Sequence, residues 1–174
     1  MPFQVITEVL WFILPAWVAN SVAIDVSGLP ILKDYSLPVD FGATWRGRRI
    51  LGDGKTWRGL ICGVSAGMAC AAVQGLYPQP GLAMMTPYLG FLLGFGALGG
   101  DMAESFLKRM AGFQRGHPMF LLDQLDYIIG AFFLAWTVVP VNLLHLLVAC
   151  VITLPLHVIA SIVAYKVKLK ENPW

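Results

Sequence analysis

The chain has 174 residues, of which 57% are hydrophobic and 13% are charged, and its formal net charge is +2. Its mean hydropathy is +0.70, whereas about a quarter of the residues of a soluble domain are charged. These values exclude a conventional water-facing surface, and they predict a single membrane domain over residues 1–174.

Five apolar stretches have the length that a membrane-spanning helix needs, about 20 residues. In chain order, the predicted spans cover about residues 5–24, 60–77, 84–106, 120–139 and 141–165. Pro140 separates the last two stretches with almost no loop, which indicates a tight helical hairpin. The sequence therefore predicts an all-α integral membrane protein with about five transmembrane helices.

The basic residues follow alternate spans. All 12 lysines and arginines come after the first, third or fifth span, and none lies before the first span or in the connection between 77 and 84. Because cytoplasmic loops carry an excess of Lys and Arg, we predict that the N-terminus lies outside the cell and the C-terminus in the cytoplasm. The cytoplasmic loops are then expected at about residues 25–59 and 107–119.

Four carboxylates gather at the predicted cytoplasmic ends of the third and fourth spans. Residues three or four apart share one face of a helix. Asp101 and Glu104 therefore lie on one face of the third span, and Asp123 and Asp126 lie on one face of the fourth span at the same depth. Oxygen ligands of this kind suit Mg²⁺, which keeps waters and substrate phosphates in its shell. Asp123 and Asp126 could instead cap the fourth helix. The convergence of four acids beside a Lys-Arg pair favours a site for one or two metal ions.

A second candidate segment reads "RRILGDGKTWRG" over residues 48–59. Gly52 and Gly54 allow the backbone to approach a ligand closely, and Lys55 offers a point charge. Thr56 is a candidate start for the second helix, where free N–H groups favour anions. Together these features indicate a phosphate-binding loop.

The same segment allows other interpretations. It does not fit the Walker A pattern, because Arg49 stands where that pattern requires a glycine. A plain turn with basic residues at the membrane surface explains the spacing equally well. In that case Arg46, Arg48 and Arg49 would attract anionic lipid headgroups.

The segment "GDMAESFLKRMAGF", followed by "LLDQLD", resembles the signature of the CDP-diacylglycerol synthases, which are integral-membrane cytidylyltransferases. The matching positions are Gly100, Asp101, Ser105, Lys108, Arg109, Gly112, Asp123 and Asp126. The match departs in the loop after Gly112, where this chain reads "GHPMF" instead of a glycine-rich run. The short length and the segments "PVDFG" and "RRILGDGKTWRG" are closer to the archaeal branch of that family, the CDP-archaeol synthases.

This resemblance implies transfer of CMP from CTP to an unsaturated archaeal ether-lipid phosphate, with Mg²⁺, to give a CDP-lipid and pyrophosphate. We expect metal ligands at Asp101, Glu104, Asp123 and Asp126, and we assign catalytic roles to Asp101, Asp123, Asp126, Lys108 and Arg109. The candidate substrate-binding residues are Arg49, Gly52, Asp53, Gly54, Lys55, Thr56, Arg58 and Ser105. Of these, Asp53 is expected to position Lys55 or to hold a second ion.

A small ion or proton transporter, or a subunit of a membrane complex, is the alternative function, since intramembrane carboxylates also mark ion pathways. A transport path needs polar groups across the whole bilayer, and the outer halves of these spans carry almost none. The sequence therefore favours an enzyme of the cell membrane whose active site faces the cytoplasm. Its expected partners are CTP, a lipid phosphate and the bilayer, with no nucleic acid, and the sequence does not set its oligomeric state.

Overall fold

The structure is a computed structural model that describes residues 2–29, 36–113, 119 and 122–166. Within those ranges it contains five α-helices and a ribbon of two antiparallel strands. The elements are α1 (Pro2–Gly28), β1 (Thr44–Trp45), β2 (Arg48–Arg49), α2 (Trp57–Leu76), α3 (Pro87–Met110), α4 (Leu122–Ala135) and α5 (Leu143–Lys166). Each of the five apolar stretches contains one helix, and the predicted all-α class is confirmed.

The helices differ in how well they match the thickness of a bilayer. Two of those described, Phe3–Gly28 and Trp57–Leu76, are long and apolar enough to cross a membrane. The 14 residues of α4 give a length of about 21 Å, which is less than the hydrocarbon core of about 30 Å. The spans and their orientation therefore stay predictions.

The outer faces of the helices are apolar. Large side chains such as Phe3 of α1, Ile61 of α2, Phe133 of α4 and Val151 of α5 are exposed. Monomeric soluble proteins rarely expose contiguous apolar surface on this scale, whereas lipid chains solvate it. The surface therefore fits a membrane environment, while smaller side chains and Ile13, Leu93 and Ile128 fill the interior.

Glycines bring the first three helices into close contact. A Cβ atom added at Gly63 of α2 would lie 2.6 Å from the carbonyl oxygen of Ala19 in α1. A Cβ atom at Gly90 of α3 would lie 2.5 Å from the Cβ of Ala71 in α2. Helices in a membrane associate through such small residues, because lipid removes most of the hydrophobic driving force between them.

The contact between α3 and α4 is closer still. A Cβ atom at Gly96 would lie 2.4 Å from the carbonyl oxygen of Gly130, and one at Gly130 would lie 2.2 Å from that of Gly96. One turn further along α3, a Cβ atom at Gly100 would lie 2.2 Å from the carbonyl oxygen of Asp126. The two backbones are therefore in direct contact where Asp101 and Asp126 leave their helices.

This contact predicts opposite effects for two neighbouring glycines of α3. Gly96→Ala forces α3 away from α4, and we expect overpacking to lower the free energy of unfolding by about 1–3 kcal/mol. Gly99→Ala is the matched control, because a Cβ atom there meets nothing within 4 Å. Alanine favours helix by about 0.5–1 kcal/mol over glycine, so the control should melt at or slightly above the wild-type temperature. Equal melting temperatures for the two variants in detergent would contradict the close contact.

Candidate active site

Asp40 organises the loop that precedes α2. Its carboxylate accepts hydrogen bonds from Arg49 Nη2 at 2.7 Å, from the N–H of Leu51 at 3.0 Å and from the N–H of Gly42 at 3.1 Å. The side chain is only 3% exposed. Burial acts to raise the pKa of Asp40, but these hydrogen bonds outweigh it and the pKa lies below its ordinary value. Asp40 is therefore a charged anchor for the segment from Gly42 to Gly52.

Asp53 and Lys55 form two further ion pairs of the loop. Asp53, which was expected to position Lys55 or hold a second ion, forms an ion pair with Arg49 instead. Lys55 extends to α3, where its Nζ lies 2.5 Å from Asp101 Oδ2. Gly52 adopts a φ of +88°, and its Cα faces the Arg109 side chain. The loop thus brings the backbone of Gly52 and the charge of Lys55 to the end of α3.

Thr56 is the N-cap of α2, which agrees with the predicted start of that helix. Its hydroxyl accepts a hydrogen bond from the N–H of Gly59 at 3.2 Å and also bonds to Ser27 Oγ at 2.9 Å. Arg58, a candidate phosphate ligand, donates instead to the backbone carbonyl oxygens of Ser27 and Leu29 at the end of α1. Thr56 and Arg58 therefore join α1 to α2.

Three carboxylates meet at the contact of α3 with α4. One oxygen each from Asp101, Glu104 and Asp126 can be chosen so that all three lie within 4.8 Å of one another. Asp123, also a predicted metal ligand, lies beside this group and forms an ion pair with Lys108. Lys108 Nζ lies 2.6 Å from Glu104 as well, so it links the acids of both helices.

These groups line a cavity of about 290 Å³, the polar cavity. Its lining comes from the loop and from both helices, so the structure brings together residues that are 75 positions apart in sequence. Most predicted site residues line it, namely Gly52, Gly54, Lys55, Asp101, Glu104, Ser105, Lys108, Arg109, Asp123 and Asp126. Those that do not are Arg49, Asp53, Thr56 and Arg58.

A second cavity of about 590 Å³ opens between α3 and α4, and we call it the lateral cavity. Most of its lining is apolar and includes Phe95, Ile129 and Phe133. Glu104, Lys108 and Asp126 line both cavities. The lateral cavity therefore leads from an apolar surface to the acidic cluster, which suits a molecule with long apolar chains and a charged head.

The donor set fits a hard divalent cation. Three carboxylates at this distance repel one another, and carboxylate oxygens are ligands that Mg²⁺ prefers. Lys55 and Lys108 offset only part of the negative charge, because two lysines are paired among four carboxylates. The three-acid group is consequently the place where the described residues could hold a metal ion.

An acidic cluster that borders both a polar and an apolar cavity, on a bundle with an apolar outer surface, defines the site of a membrane enzyme. A family model described as CarS-like, CDP-archaeol synthase, matches residues 2–174. The chain belongs to this family, and the resemblance noted in the sequence is confirmed.

The sequences of known relatives are similar to this one over nearly the whole chain. The CDP-archaeol synthase of Methanopyrus kandleri is 44% identical over 172 residues, which cover 95% of this chain and 91% of that protein. The enzyme of the same name from Pyrococcus abyssi is 39% identical over 172 residues, with 97% and 98% covered. A solved structure, described as an intramembrane enzyme for archaeal membrane lipid biosynthesis, superimposes with a TM-score of 0.77 at 36% identity. It covers 90% of this chain and 94% of its own.

The role of Asp40 is the main feature that sequence reasoning missed. Its segment, "PVDFG", carried part of the family resemblance, but no periodicity links Asp40 to Leu51 eleven residues later. The local sequence signal is a single acid in a segment that contains several basic residues. The loop about residues 107–119 is described as far as Phe113 and at Met119, and its remaining residues lie outside the described part.

Two aspartates that share Arg49 should respond differently to substitution. Asp40→Asn removes a buried charge from four donors, and we expect a loss of about 1–3 kcal/mol in the stability of the loop. Asp53→Asn is the control, since Asp53 is 68% exposed and an exposed pair is worth about 0–1 kcal/mol. Limited proteolysis of the loop, beside thermal unfolding, measures both. Faster cleavage of Asp53→Asn than of Asp40→Asn would contradict the anchoring role.

The same anchor has a defined pH dependence. The pKa of Asp40 is lowered in the folded protein, so its contribution is fully present above the ordinary aspartate pKa of about 3.9. It is lost as the pH falls through the lowered folded value. Loop protection should therefore be constant near neutral pH in the wild type.

Proposed function

We propose that this protein is a Mg²⁺-dependent cytidylyltransferase that transfers CMP from CTP to an unsaturated archaeal ether-lipid phosphate. The products are CDP-archaeol and pyrophosphate. The observation that carries this proposal is the shared lining of the polar and lateral cavities by Glu104, Lys108 and Asp126. Membership of the CDP-archaeol synthase family supports the choice of nucleotide and lipid.

The lipid phosphate, which accepts the CMP group, does not need a strong general base to act as a nucleophile. A phosphomonoester has a second pKa of about 6, so it is already anionic near pH 7. The described lining of the polar cavity contains acids, lysines and an arginine but no His or Cys. A site of this composition suits the transfer of a nucleotidyl group between two anions, where the main difficulty is charge repulsion.

We assign the charged side chains of the site to three roles, namely binding of the metal ion, of the lipid phosphate and of the nucleotide. Asp101, Glu104 and Asp126 would hold Mg²⁺, which when bound supplies positive charge to the phosphates and to the leaving group. Lys108 lines both cavities and is oriented by Glu104 and Asp123. We assign it to the lipid phosphate. Lys55, on the glycine-flanked loop, is assigned to the nucleotide.

The lateral cavity would receive the lipid. Its apolar lining lets the chains stay in a hydrocarbon environment while the phosphate reaches Lys108 at the polar end. A transporter is less well supported, because the acids gather at one end of α3 and α4 and border an apolar cavity. An ion path would need polar groups along its length.

Neutral variants of the acids test the metal site. We expect Asp101→Asn and Asp126→Asn each to lose most of the turnover while the protein stays folded, because removing a charge from a membrane-embedded site lowers its insertion cost. Pyrophosphate release with CTP, Mg²⁺ and an archaeal lipid phosphate gives the rate, and thermal unfolding gives the stability. Asp25→Asn is the control, because Asp25 is an exposed residue of α1 outside both cavities. Retained turnover with reduced stability would identify Asp126 as a structural residue.

Thiol labelling tests the proposed orientation. In a variant without Cys62, Cys70 and Cys150, a cysteine at exposed Gln79 should react with an impermeant reagent added to intact cells. A cysteine at exposed Thr44, in β1, should react only after permeabilisation, because the positive-inside rule places its loop in the cytoplasm. Labelling of Thr44→Cys from outside intact cells would place the candidate site on the outer side of the membrane, away from cytoplasmic CTP, and would contradict the proposed orientation.

A further inference from the structure

A third cavity, of about 490 Å³, adjoins the candidate active site, and we call it the basic cavity. It is lined by Trp45, Arg46, Arg48, Arg109 and Met110. Arg109 also lines the polar cavity, so the two spaces share a wall. Three of the five lining residues are arginines. The roles proposed above do not include Arg46 and Arg48, which belong to the β1–β2 hairpin.

The positive charge of this cavity is not neutralised by the described acids. The other cations around the site are paired with carboxylates, namely Lys55 with Asp101, Lys108 with Glu104 and Asp123, and Arg49 with Asp40 and Asp53. Within the part of the chain that the structure describes, Arg46, Arg48 and Arg109 form no such ion pair. An anionic ligand near the active site would therefore find its uncompensated positive charge here.

Arg48 is seated by a glycine of the signature segment. Gly112 follows α3 with a φ of +91°, and a Cβ atom there would lie 2.6 Å from Arg48 Nη1. A side chain at position 112 would require the Arg48 guanidinium to move from this point. The positive φ already favours glycine at position 112, and the missing side chain also leaves space for the guanidinium of Arg48.

Arg46 occupies a sterically unfavourable position. Arg46 and Gly47, with φ values of +50° and +75°, are the two central residues of the hairpin turn between β1 and β2. Two-residue turns with positive φ at both positions favour Asn, Asp or Gly in the first. Strained residues of this kind concentrate at functional sites, so the side chain of Arg46 warrants a functional explanation.

We propose that Arg46 and Arg48 bind the β- and γ-phosphates of CTP, with Arg109 between them and the α-phosphate. This subsite rests on the proposed function. The polar cavity, at about 290 Å³, lies near the lower end of the range for ligand cavities, about 300–1,000 Å³. It also has to admit the lipid phosphate. The basic cavity provides the additional volume, and arginine binds phosphate oxygens in a bidentate manner.

The proposed subsite holds the leaving group. An oxygen of the lipid phosphate forms a bond to the α-phosphorus, and the bond from that phosphorus to the α,β-bridging oxygen breaks. The electron pair leaves with the bridging oxygen, so pyrophosphate departs with additional negative charge. Arginines around the β- and γ-phosphates stabilise that charge more in the transition state than in bound CTP.

Calorimetric titration with CTP, CDP and CMP, in Mg²⁺ and without lipid, tests the subsite. Arg48→Ala and Arg46→Asn should each weaken CTP binding by about tenfold or more and leave CMP binding unchanged. Arg46→Asn should also keep or raise the melting temperature, because Asn suits positive φ. Reduced CTP affinity in this variant therefore cannot be attributed to unfolding.

Gly112→Ala tests the seat of Arg48 separately. It should weaken CTP binding more than CMP binding, because the new Cβ displaces the guanidinium. Gly81→Ala is the matched control, since Gly81 has a similar φ of +80° but a Cβ atom there meets nothing within 4 Å. The control should bind both nucleotides as the wild type does.

Other outcomes would overturn the subsite. Equal loss of CTP and CMP affinity would mean that the arginines bind the nucleoside or only hold the loop. Unchanged CTP affinity, with weaker association with vesicles that contain anionic lipid, would identify them as headgroup contacts. A wild-type protein that neither binds CTP nor releases pyrophosphate would refute the proposed function itself. An active wild type with normal CTP binding in the variants would refute only the subsite.

Discussion

The backbone contact between α3 and α4 is the constraint on which the site depends. Gly96, Gly100 and Gly130 remove the side chains that would separate the helices. Asp101 and Asp126 consequently reach one point from two different helices, although each is near the end of an otherwise apolar segment. Lipid provides little hydrophobic force to press helices together, so this packing has to come from shape. A larger residue at the contact would widen the spacing of the acids as well as weaken the bundle.

The loop before α2 completes the site through charge pairing. Buried ion pairs add little net stability, because desolvation offsets their attraction, but they fix geometry. Asp40 holds Arg49 and the backbone at Leu51, and the loop then places Lys55 against Asp101. The pairing also determines which cations stay available. Lys55 and Lys108 are paired among the acids, whereas Arg46 and Arg48 form no ion pair with the described acids.

Local signals in the sequence predicted much of this arrangement, and the rest depended on how the chain returns on itself. The approximate positions of the helices follow from length and hydropathy, and the acidic pairs follow from helical spacing. Thr56 was recognised as a helix start by its residue type and position. The pairing of Asp53 with Arg49 and the contact of Arg58 with the end of α1 were not predictable. No periodic pattern governs an irregular loop, so a nearby lysine was an equally reasonable partner for Asp53.

In the proposed reaction, the arrangement of the cavities explains how one small protein can join a lipid and a nucleotide that come from different phases. The lateral cavity is apolar and the basic cavity is cationic, and each shares lining residues with the polar cavity between them. Lys108 lines the lateral and polar cavities and Arg109 lines the polar and basic cavities, although they are consecutive in α3. Adjacent residues of a helix point about 100° apart, so a Lys-Arg pair can contact two spaces from a single turn. In the proposed reaction, this turn would hold the acceptor phosphate and the departing diphosphate on either side of the acids, with each substrate retained in the medium from which it arrived.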